Sequence, residues 1–257
     1  MKRIFKNVML TLGGLATVQS ASALSIEQYC DPAVCNPEAV KEMRPLADGV
    51  SYACISDDEQ AIEVYSYKTG KMTSKLFDLR EIKGKVKIDD FDGYELSDDN
   101  SKILLWTDKE KIYRHSFYAQ YYVYDVRRGT LQKVTEGGPQ RGAVLSHDGR
   151  MVAYQRDNNI FISNLDYNTD IAVTKDGERN KIIYGTSDWG YEEEFGVVNT
   201  MRWSKDDSVL AFVRFDETKV PAYNFDVYKS YCEDEPENDL YPEADSYEYR
   251  LGGCRTS

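Results

Sequence analysis

The sequence has little of what acid–base catalysis needs, because only 2 of its 257 residues are histidine. His115 directly follows Arg114 and His147 lies in a turn motif described below, so we assign both structural roles rather than that of a general base. The sequence also lacks the Gly-x-Ser-x-Gly pentapeptide of a nucleophile elbow, since Ser187 in Gly-Thr-Ser-Asp has no closing glycine. No Ser–His–Asp triad can be assembled from these residues, and we name no catalytic residue.

No hydrophobic run is long enough to cross a membrane. The apolar stretch Val8–Val18 is interrupted by two glycines, whereas a spanning helix needs roughly 20 apolar residues. It follows Lys2 and Arg3 and precedes Ala21–Ala23, which is the order of a secretory signal. A membrane anchor is the alternative. We favour export with cleavage after Ala23, a periplasmic or secreted location, and no membrane span in the mature chain.

Cations are scarce. The chain has 32 Lys and Arg against 44 Asp and Glu, a net charge of -12. Loss of residues 1–23 would remove three more cations and no acid. Because phosphate binding needs clustered cations, we expect no nucleic-acid partner.

Cysteines are few and odd in number: Cys30, Cys35, Cys54, Cys232 and Cys254. At least one is therefore unpaired within the chain. Cys30 and Cys35 lie close enough in sequence to form a disulfide in an oxidising compartment, whereas a zinc site needs a second Cys or His pair at ligand spacing. We favour the local disulfide over a metal site and predict no metal and no cofactor.

Tyrosine is abundant, with 20 residues, mostly in short runs with Val, Ile and Phe that are typical of strands. A Ser-Asp phrase also recurs at intervals of roughly 40 to 60 residues, which is typical of propeller blades with occasional insertions. The four copies are Ile55–Asp58, Leu96–Asp99, Leu145–Gly149 and Trp203–Asp207. These patterns predict an all-β fold, a partial β-propeller of about four blades. The alternative is a β-sandwich in which similar turns arise by chance.

Each copy of the phrase is expected to form a tight turn in which Ser and Asp side chains bond nearby backbone amides. The apolar runs that follow, such as Lys102–Trp106 and Val209–Val213, are expected to enter the core. Four blades are too few to close a typical ring. A terminal blade without a neighbour would expose an apolar face, which predicts a marginally stable or aggregation-prone chain.

A specific resemblance is carried by Asp188–Glu194, Asp-Trp-Gly-Tyr-Glu-Glu-Glu, which resembles the Asp-Trp-Val-Tyr-Glu-Glu-Glu signature of the dipeptidyl peptidase IV family. Upstream, Tyr113–Ser116 resembles the family's Arg-His-Ser segment, and downstream Phe215–Pro221 resembles its segment Phe-Asn/Asp-Glu/Asp-Thr-Glu-Val-Pro. The likeness extends over roughly residues 44–247. Gly190 stands where the family has Val, which removes a packing side chain from the short helix that carries the acidic residues.

The resemblance implies a substrate-binding site made of Arg114, Glu193 and Glu194. In this family the matching glutamates hold the free amino terminus of a peptide, and the arginine contacts the carbonyl between its first residues. A buried ammonium needs anionic partners, so the implied partner is the N-terminus of an X-Pro or X-Ala peptide. The alternatives are a solvated acidic helix start for Glu192–Glu194 and a surface cation for Arg114.

The family cleaves with Ser, Asp and His on a C-terminal α/β-hydrolase domain, which we expect to be absent from this chain. We therefore expect the recognition part of an exported dipeptidyl peptidase IV-like serine exopeptidase, inactive alone, whose full-length relatives form homodimers. Whether the chain is itself an enzyme stays open. The alternatives are a noncatalytic exported propeller that binds peptides or proteins and a tripeptidyl peptidase relative.

The predicted organisation is a signal peptide at 1–23, an N-terminal segment at 24–43, a partial propeller at 44–249 and a divergent tail at 250–257. Resemblance to the family ends at Tyr249. An abrupt loss of resemblance before a stop is typical of a frameshift, a gene break or an assembly error, so we expect a truncated product.

Overall fold

The computed structural model describes residues 25–26, 39–223 and 249–250. It divides into two compact units, Met1–Val40 and Lys41–Ser257, and the strands below belong to the second. Among the described residues no helix is long and apolar enough to cross a membrane. The predicted signal peptide and the Cys30–Cys35 disulfide lie outside the described residues, as do Cys232 and Cys254, whereas Cys54 is a buried free thiol.

The first blade is a four-stranded antiparallel sheet in the order β1-β2-β3-β4. Its strands are β1 (Arg44–Pro45), β2 (Ser51–Ile55), β3 (Ala61–Ser66) and β4 (Met72–Asp78). A 3-10 turn, Leu79–Glu81, follows β4 and is capped by Asp78, whose carboxylate accepts from the Arg80 amide.

The second and third blades form one hydrogen-bonded sheet of eight strands. The second blade comprises β5 (Gly93–Leu96), β6 (Lys102–Lys111), β7 (Phe117–Asp125) and β8 (Thr130–Lys133), and the third comprises β9 (Gln140–Leu145), β10 (Met151–Arg156), β11 (Asn159–Asn164) and β12 (Thr169–Ala172). The two blades join because the start of β7 pairs with the start of β9, where Tyr118 lies opposite Arg141 and Ala119 opposite Gln140.

The fourth blade has shorter strands and contains a helix. Its elements are β13 (Ile182–Tyr184), helix α1 (Trp189–Phe195), β14 (Arg202–Trp203), β15 (Leu210–Ala211) and β16 (Arg214–Asp216). β13 pairs with β16 and β14 with β15, and a separate pair joins β17 (Ala222–Tyr223) to β18 (Tyr249–Arg250).

Successive blades pack face to face around three hydrophobic clusters. Side chains alternate across a strand, so in β6 Ile103 and Leu105 enter the cluster shared with the first blade, while Leu104 enters the cluster shared with the third. In β10, Ala153 likewise enters the cluster shared with the fourth blade. This stacking of antiparallel sheets confirms the predicted all-β, partial-propeller fold.

The predicted Ser-Asp turns are confirmed. The serine hydroxyl donates to the aspartate two residues later at 2.6 Å in Ser56, 2.8 Å in Ser97, 2.7 Å in Ser146 and 2.6 Å in Ser204. Each hydroxyl also accepts from the amide five residues on, at 2.9 to 3.0 Å. The third residue after each serine has a positive φ, between 56° and 67°.

The prediction for the two apolar runs is right for one and wrong for the other. Ile103, Leu104 and Leu105 are fully buried. Val209 and Val213, however, are 59% and 47% exposed. They flank β15, which pairs only with β14 among the described residues.

Candidate functional site

Helix α1 is placed by a cap at each end. At its start Asp188 is extended, and its carboxylate accepts from the Tyr191 amide at 2.8 Å, which is a standard N-cap. At its end Gly196 adopts the left-handed conformation, with φ 64°, and its N–H donates to the Glu192 carbonyl at 3.0 Å. These caps fix which side chains of the short helix point inward.

The loop that carries α1 is closed at its base. Thr186 and Asn199 form an antiparallel bridge, and the Ser187 hydroxyl donates to the Val197 carbonyl. The Asn199 amide group donates to the Gly142 carbonyl of β9 at 2.7 Å. The contact of Asn199 with Gly142 therefore holds the base of this loop against the third blade.

The second component of the site is the turn between β6 and β7, which carries Arg114. The turn closes where the Ile112 amide donates to the Ser116 carbonyl at 2.9 Å. His115 is exposed and Ser116 is buried. Arg114 thus lies at the tip of a hairpin. The two strands of this hairpin, β6 and β7, belong to the second blade.

The predicted residues Arg114 and Glu193 meet in an ion pair. Arg114 Nη2 lies 2.8 Å from Glu193 Oε1, and the two side chains are 69% and 22% exposed. Glu194, the next residue of α1, is exposed. The structure therefore brings a guanidinium and a carboxylate together at an accessible surface, and the exposed Glu194 is the next residue of the helix. Their role in peptide binding stays a prediction.

Glu192, which was not predicted to have a site role, is fully buried. Its Oε1 accepts from the backbone amides of His115 and Ser116, both at 2.8 Å. Its Oε2 lies 3.6 Å from Nη2 of Arg141 on β9. One carboxylate thus connects the helix, the β6–β7 turn and the third blade.

Arg141 is a second residue that sequence reasoning missed. Its side chain is only 8% exposed, and burial lowers the pKa of its guanidinium despite the opposing effect of Glu192. It lines a cavity of about 240 Å³ together with Tyr113, Tyr118, Arg179 and Trp189. No sequence motif marks Arg141, because its importance follows from the pairing of β7 with β9.

The histidine turn lies apart from these residues. Nδ1 of His147 is 2.8 Å from Asp98, and the His147 amide donates to Asp207 at 2.9 Å. His147 therefore links the Ser-Asp turns of three successive blades. Among the described residues no group of three or more His, Cys, Asp or Glu side chains is placed to hold a metal ion.

Comparisons with known proteins identify one family to which the chain is similar. The family described as "Dipeptidyl peptidase IV (DPP IV) N-terminal region" matches residues 97–253. The chain is 37% identical over 171 residues to a probable dipeptidyl-aminopeptidase B of Tuber melanosporum, covering 62% of this chain and 19% of that protein. It is 35% identical over 161 residues to dipeptidyl-aminopeptidase B of Aspergillus niger, covering 60% and 18%.

A solved structure is similar over a larger part of the chain. The crystal structure of Porphyromonas gingivalis dipeptidyl peptidase 4 matches with a TM-score of 0.71 and 42% identity. The match covers 82% of this chain and 28% of that one. The chain thus spans about a fifth of the length of the curated relatives and about a quarter of this structure.

Proposed function

This chain belongs to the dipeptidyl peptidase IV family, as one of its N-terminal regions, and from that premise we propose that it recognises the N-terminus of a peptide for an exported serine exopeptidase. The reaction we propose for the whole protein is release of X-Pro or X-Ala dipeptides. In this proposal residues 1–23 direct export, and the protein works in the periplasm or outside the cell.

The observation that carries the proposal is the ion pair of Arg114 and Glu193 beside Glu194. A peptide ammonium has three N–H donors and needs several acceptors when it leaves water. Two carboxylates on adjacent helix positions supply them, and such charge-assisted hydrogen bonds are the stronger kind. The backbone of an internal peptide segment carries no ammonium, so this arrangement favours the amino-terminal end of a chain.

Arg114 can donate hydrogen bonds to the peptide while it remains paired with Glu193. A guanidinium has five N–H donors in a planar fork, and the 2.8 Å contact to Glu193 engages Nη2. The side chain is 69% exposed, so the rest of the fork is accessible. We propose that it donates to the carbonyl between the first two residues of the peptide, which would set the distance from the amino terminus to the scissile bond.

The test compares two matched peptides that differ only at the amino terminus. A peptide beginning Ala-Pro, labelled at its C-terminus, and its N-acetylated twin are titrated with the full chain and followed by fluorescence anisotropy. We expect the free peptide to bind and the acetylated one to bind at least about tenfold more weakly, since a lost charged partner is worth more than about 1.4 kcal/mol.

Glu193→Gln and Glu194→Gln should each remove most of this preference, because each keeps the shape of the side chain and loses its charge. Glu59→Gln is the matched control, since Glu59 is 64% exposed in the Ser-Asp turn of the first blade. Equal binding of both peptides to the unaltered chain would reject the proposal. A peptide preference that survives both substitutions would reject these residues as its source.

A second assay separates recognition from cleavage. The sequence offers no Ser–His–Asp set, and His147 is engaged by Asp98, so we expect no turnover of a Gly-Pro chromogenic substrate above buffer. Cleavage that a serine-directed inhibitor abolishes would contradict this expectation. Binding of folded proteins in place of peptide N-termini would favour a noncatalytic propeller.

A further inference from the structure

Glu192 lies at the junction of the elements that form the site, yet its side chain has no accessible surface. Its neighbours in sequence are Tyr191, which is 49% exposed, and Glu193, which is 22% exposed at the side chain. Glu192 therefore cannot touch a peptide that binds at the surface. Any effect it has on recognition must act through other residues.

Glu192 and its hydrogen-bond donors are close in sequence to the two residues of the ion pair. Its Oε1 accepts from the amides of His115 and Ser116, which directly follow Arg114. On the helix, Glu192 directly precedes Glu193. The carboxylate therefore joins the two backbone segments that carry the ion pair. On each segment, a residue directly adjacent to the ion pair takes part in the contact.

We propose that Glu192 is a positioning residue, whose buried carboxylate docks the β6–β7 turn on helix α1 and thereby holds Arg114 against Glu193. The inference rests on the proposed function, because it assigns Glu192 the task of organising that peptide-binding site. It deepens the function by adding a residue that never contacts the peptide.

The energetics of a buried carboxylate explain why this docking is stable. An ionised carboxylate in a dry interior requires hydrogen bonds and a countercharge. The two amides supply the hydrogen bonds at 2.8 Å, and Arg141, itself 8% exposed, supplies the charge at 3.6 Å. If the turn moved away from the helix, Glu192 would lose both amide donors while it remained buried beside Arg141. The docked arrangement is therefore strongly preferred over an open one.

The same contacts explain how the accessible ion pair can be ordered. An exposed Arg–Glu pair gains little by itself, because two long side chains must be immobilised. With both backbones fixed by Glu192, only the side-chain torsions of Arg114 and Glu193 remain to be ordered. Preorganisation of this kind increases affinity, because fewer side-chain and backbone torsions lose their freedom when the peptide binds.

The decisive experiment is a double-mutant cycle on peptide affinity in the full chain, with the labelled Ala-Pro peptide as the probe. Arg114→Ala in the unaltered chain is expected to raise Kd about tenfold, equivalent to about 1.4 kcal/mol. Glu192→Ala is expected to raise Kd by a similar factor. The double variant should be no weaker than either single one, because residues that act as a unit are not additive.

Two conservative variants separate positioning from folding. Glu192→Gln keeps an oxygen at the same reach and should retain most of the Arg114→Ala effect. Glu192→Asp keeps the charge but withdraws it by one methylene, and should lose that effect. If Glu192→Ala does not fold, as judged by near-ultraviolet circular dichroism, the cycle is run with Glu192→Asp.

Amide hydrogen exchange supplies a readout that is independent of peptide binding. Protection of the His115 and Ser116 amides should persist in Glu192→Gln and fall in Glu192→Asp. A full tenfold effect of Arg114→Ala in the Glu192→Asp or Glu192→Ala background would overturn the inference, as would unchanged protection of both amides. If the unaltered chain does not discriminate the acetylated peptide, the proposed function fails, and exchange alone then decides whether Glu192 docks the turn.

Discussion

At the scale of single residues, three consecutive glutamates of α1 lie in three environments. Successive helical positions are rotated by about 100°, so the side chains of Glu192, Glu193 and Glu194 leave the helix in different directions. Because Asp188 caps the helix, Glu192 points inward, Glu193 is half-buried and Glu194 is exposed. Family resemblance predicted roles for the last two. The role of Glu192 could not be read from an acidic run, since it depends on the amides of a turn 76 residues away.

The histidine of the third Ser-Asp turn makes folding depend on pH. Asp98 hydrogen-bonds His147 and raises its pKa, and its charge and that of Asp207 act in the same direction. A raised pKa in the folded chain means that protonation stabilises the fold. This contribution is fully present below the unfolded pKa of about 6.5 and is lost as pH rises through the higher folded value.

We therefore expect His147→Gln to lower the urea midpoint of the full chain at about pH 5.5 and to have less effect at about pH 8.5. Asp98→Asn should reproduce this pattern, because it removes the partner and keeps the histidine. Both residues are substantially exposed, so the shift should be small. A difference between variant and unaltered chain that is the same at both pH values would contradict the assignment.

At the scale of elements, the four Ser-Asp turns have the same pattern of hydrogen bonds. The serine hydroxyl both donates to the aspartate and accepts from the amide that starts the next strand, as with Ser97, Asp99 and Lys102. The burial of this network differs between blades, however. Ser97 is 4% exposed, whereas Val209, the residue whose amide bonds Ser204 in the fourth blade, is 59% exposed.

This difference predicts unequal costs for the same substitution. Ser97→Ala should lower the free energy of unfolding by about 1–3 kcal/mol, because it removes a buried hydroxyl that accepts from the Lys102 amide. Ser204→Ala is the matched control and should cost less than about 0.5 kcal/mol, since water can replace the hydroxyl. Urea denaturation of both variants measures the comparison, and equal costs would show that burial does not control these turns.

The elements differ in how far sequence could predict them. The Ser-Asp turns were predicted because their chemistry is local: the partners of Ser146 lie within five residues. The ion pair of Arg114 with Glu193 was suggested only by resemblance, since hairpin and helix meet through tertiary packing. Arg141 was missed for the same reason. Val209–Val213 was wrongly placed in the core. An apolar run indicates that a strand can pack against another element, but it does not show whether such an element is present.

At the scale of the whole molecule, each blade is stabilised by its neighbours. In the described part of the chain, each of the three hydrophobic clusters lies between two consecutive blades, as Phe77 with Tyr124 in the first and Val152 with Leu104 in the second. In such arrays stability is approximately a sum of the units and their interfaces. The fourth blade contributes Ile182, Tyr184 and Met201 to one interface, and it leaves Val209 and Val213, which flank β15, exposed to solvent.

The exposure of Val209 and Val213 predicts self-association of the chain. Burial of one Val side chain is worth about 1.5–3 kcal/mol, so the two exposed valines beside β15 give a substantial gain to any contact that covers them. Val209→Lys combined with Val213→Lys should therefore raise the concentration at which the full chain scatters light. The unfolding free energy should change by less than about 0.5 kcal/mol, because surface substitutions rarely cost more.

Val50→Lys is the matched control for this test. Val50 is 64% exposed on the first blade, so the substitution adds a cation to the same acidic chain without altering the fourth blade. If association follows the apolar face, Val50→Lys leaves the scattering threshold where it was, while the double substitution raises it. If both raise it equally, the effect comes from adding a surface lysine rather than from covering the apolar residues of the fourth blade, and the prediction is wrong.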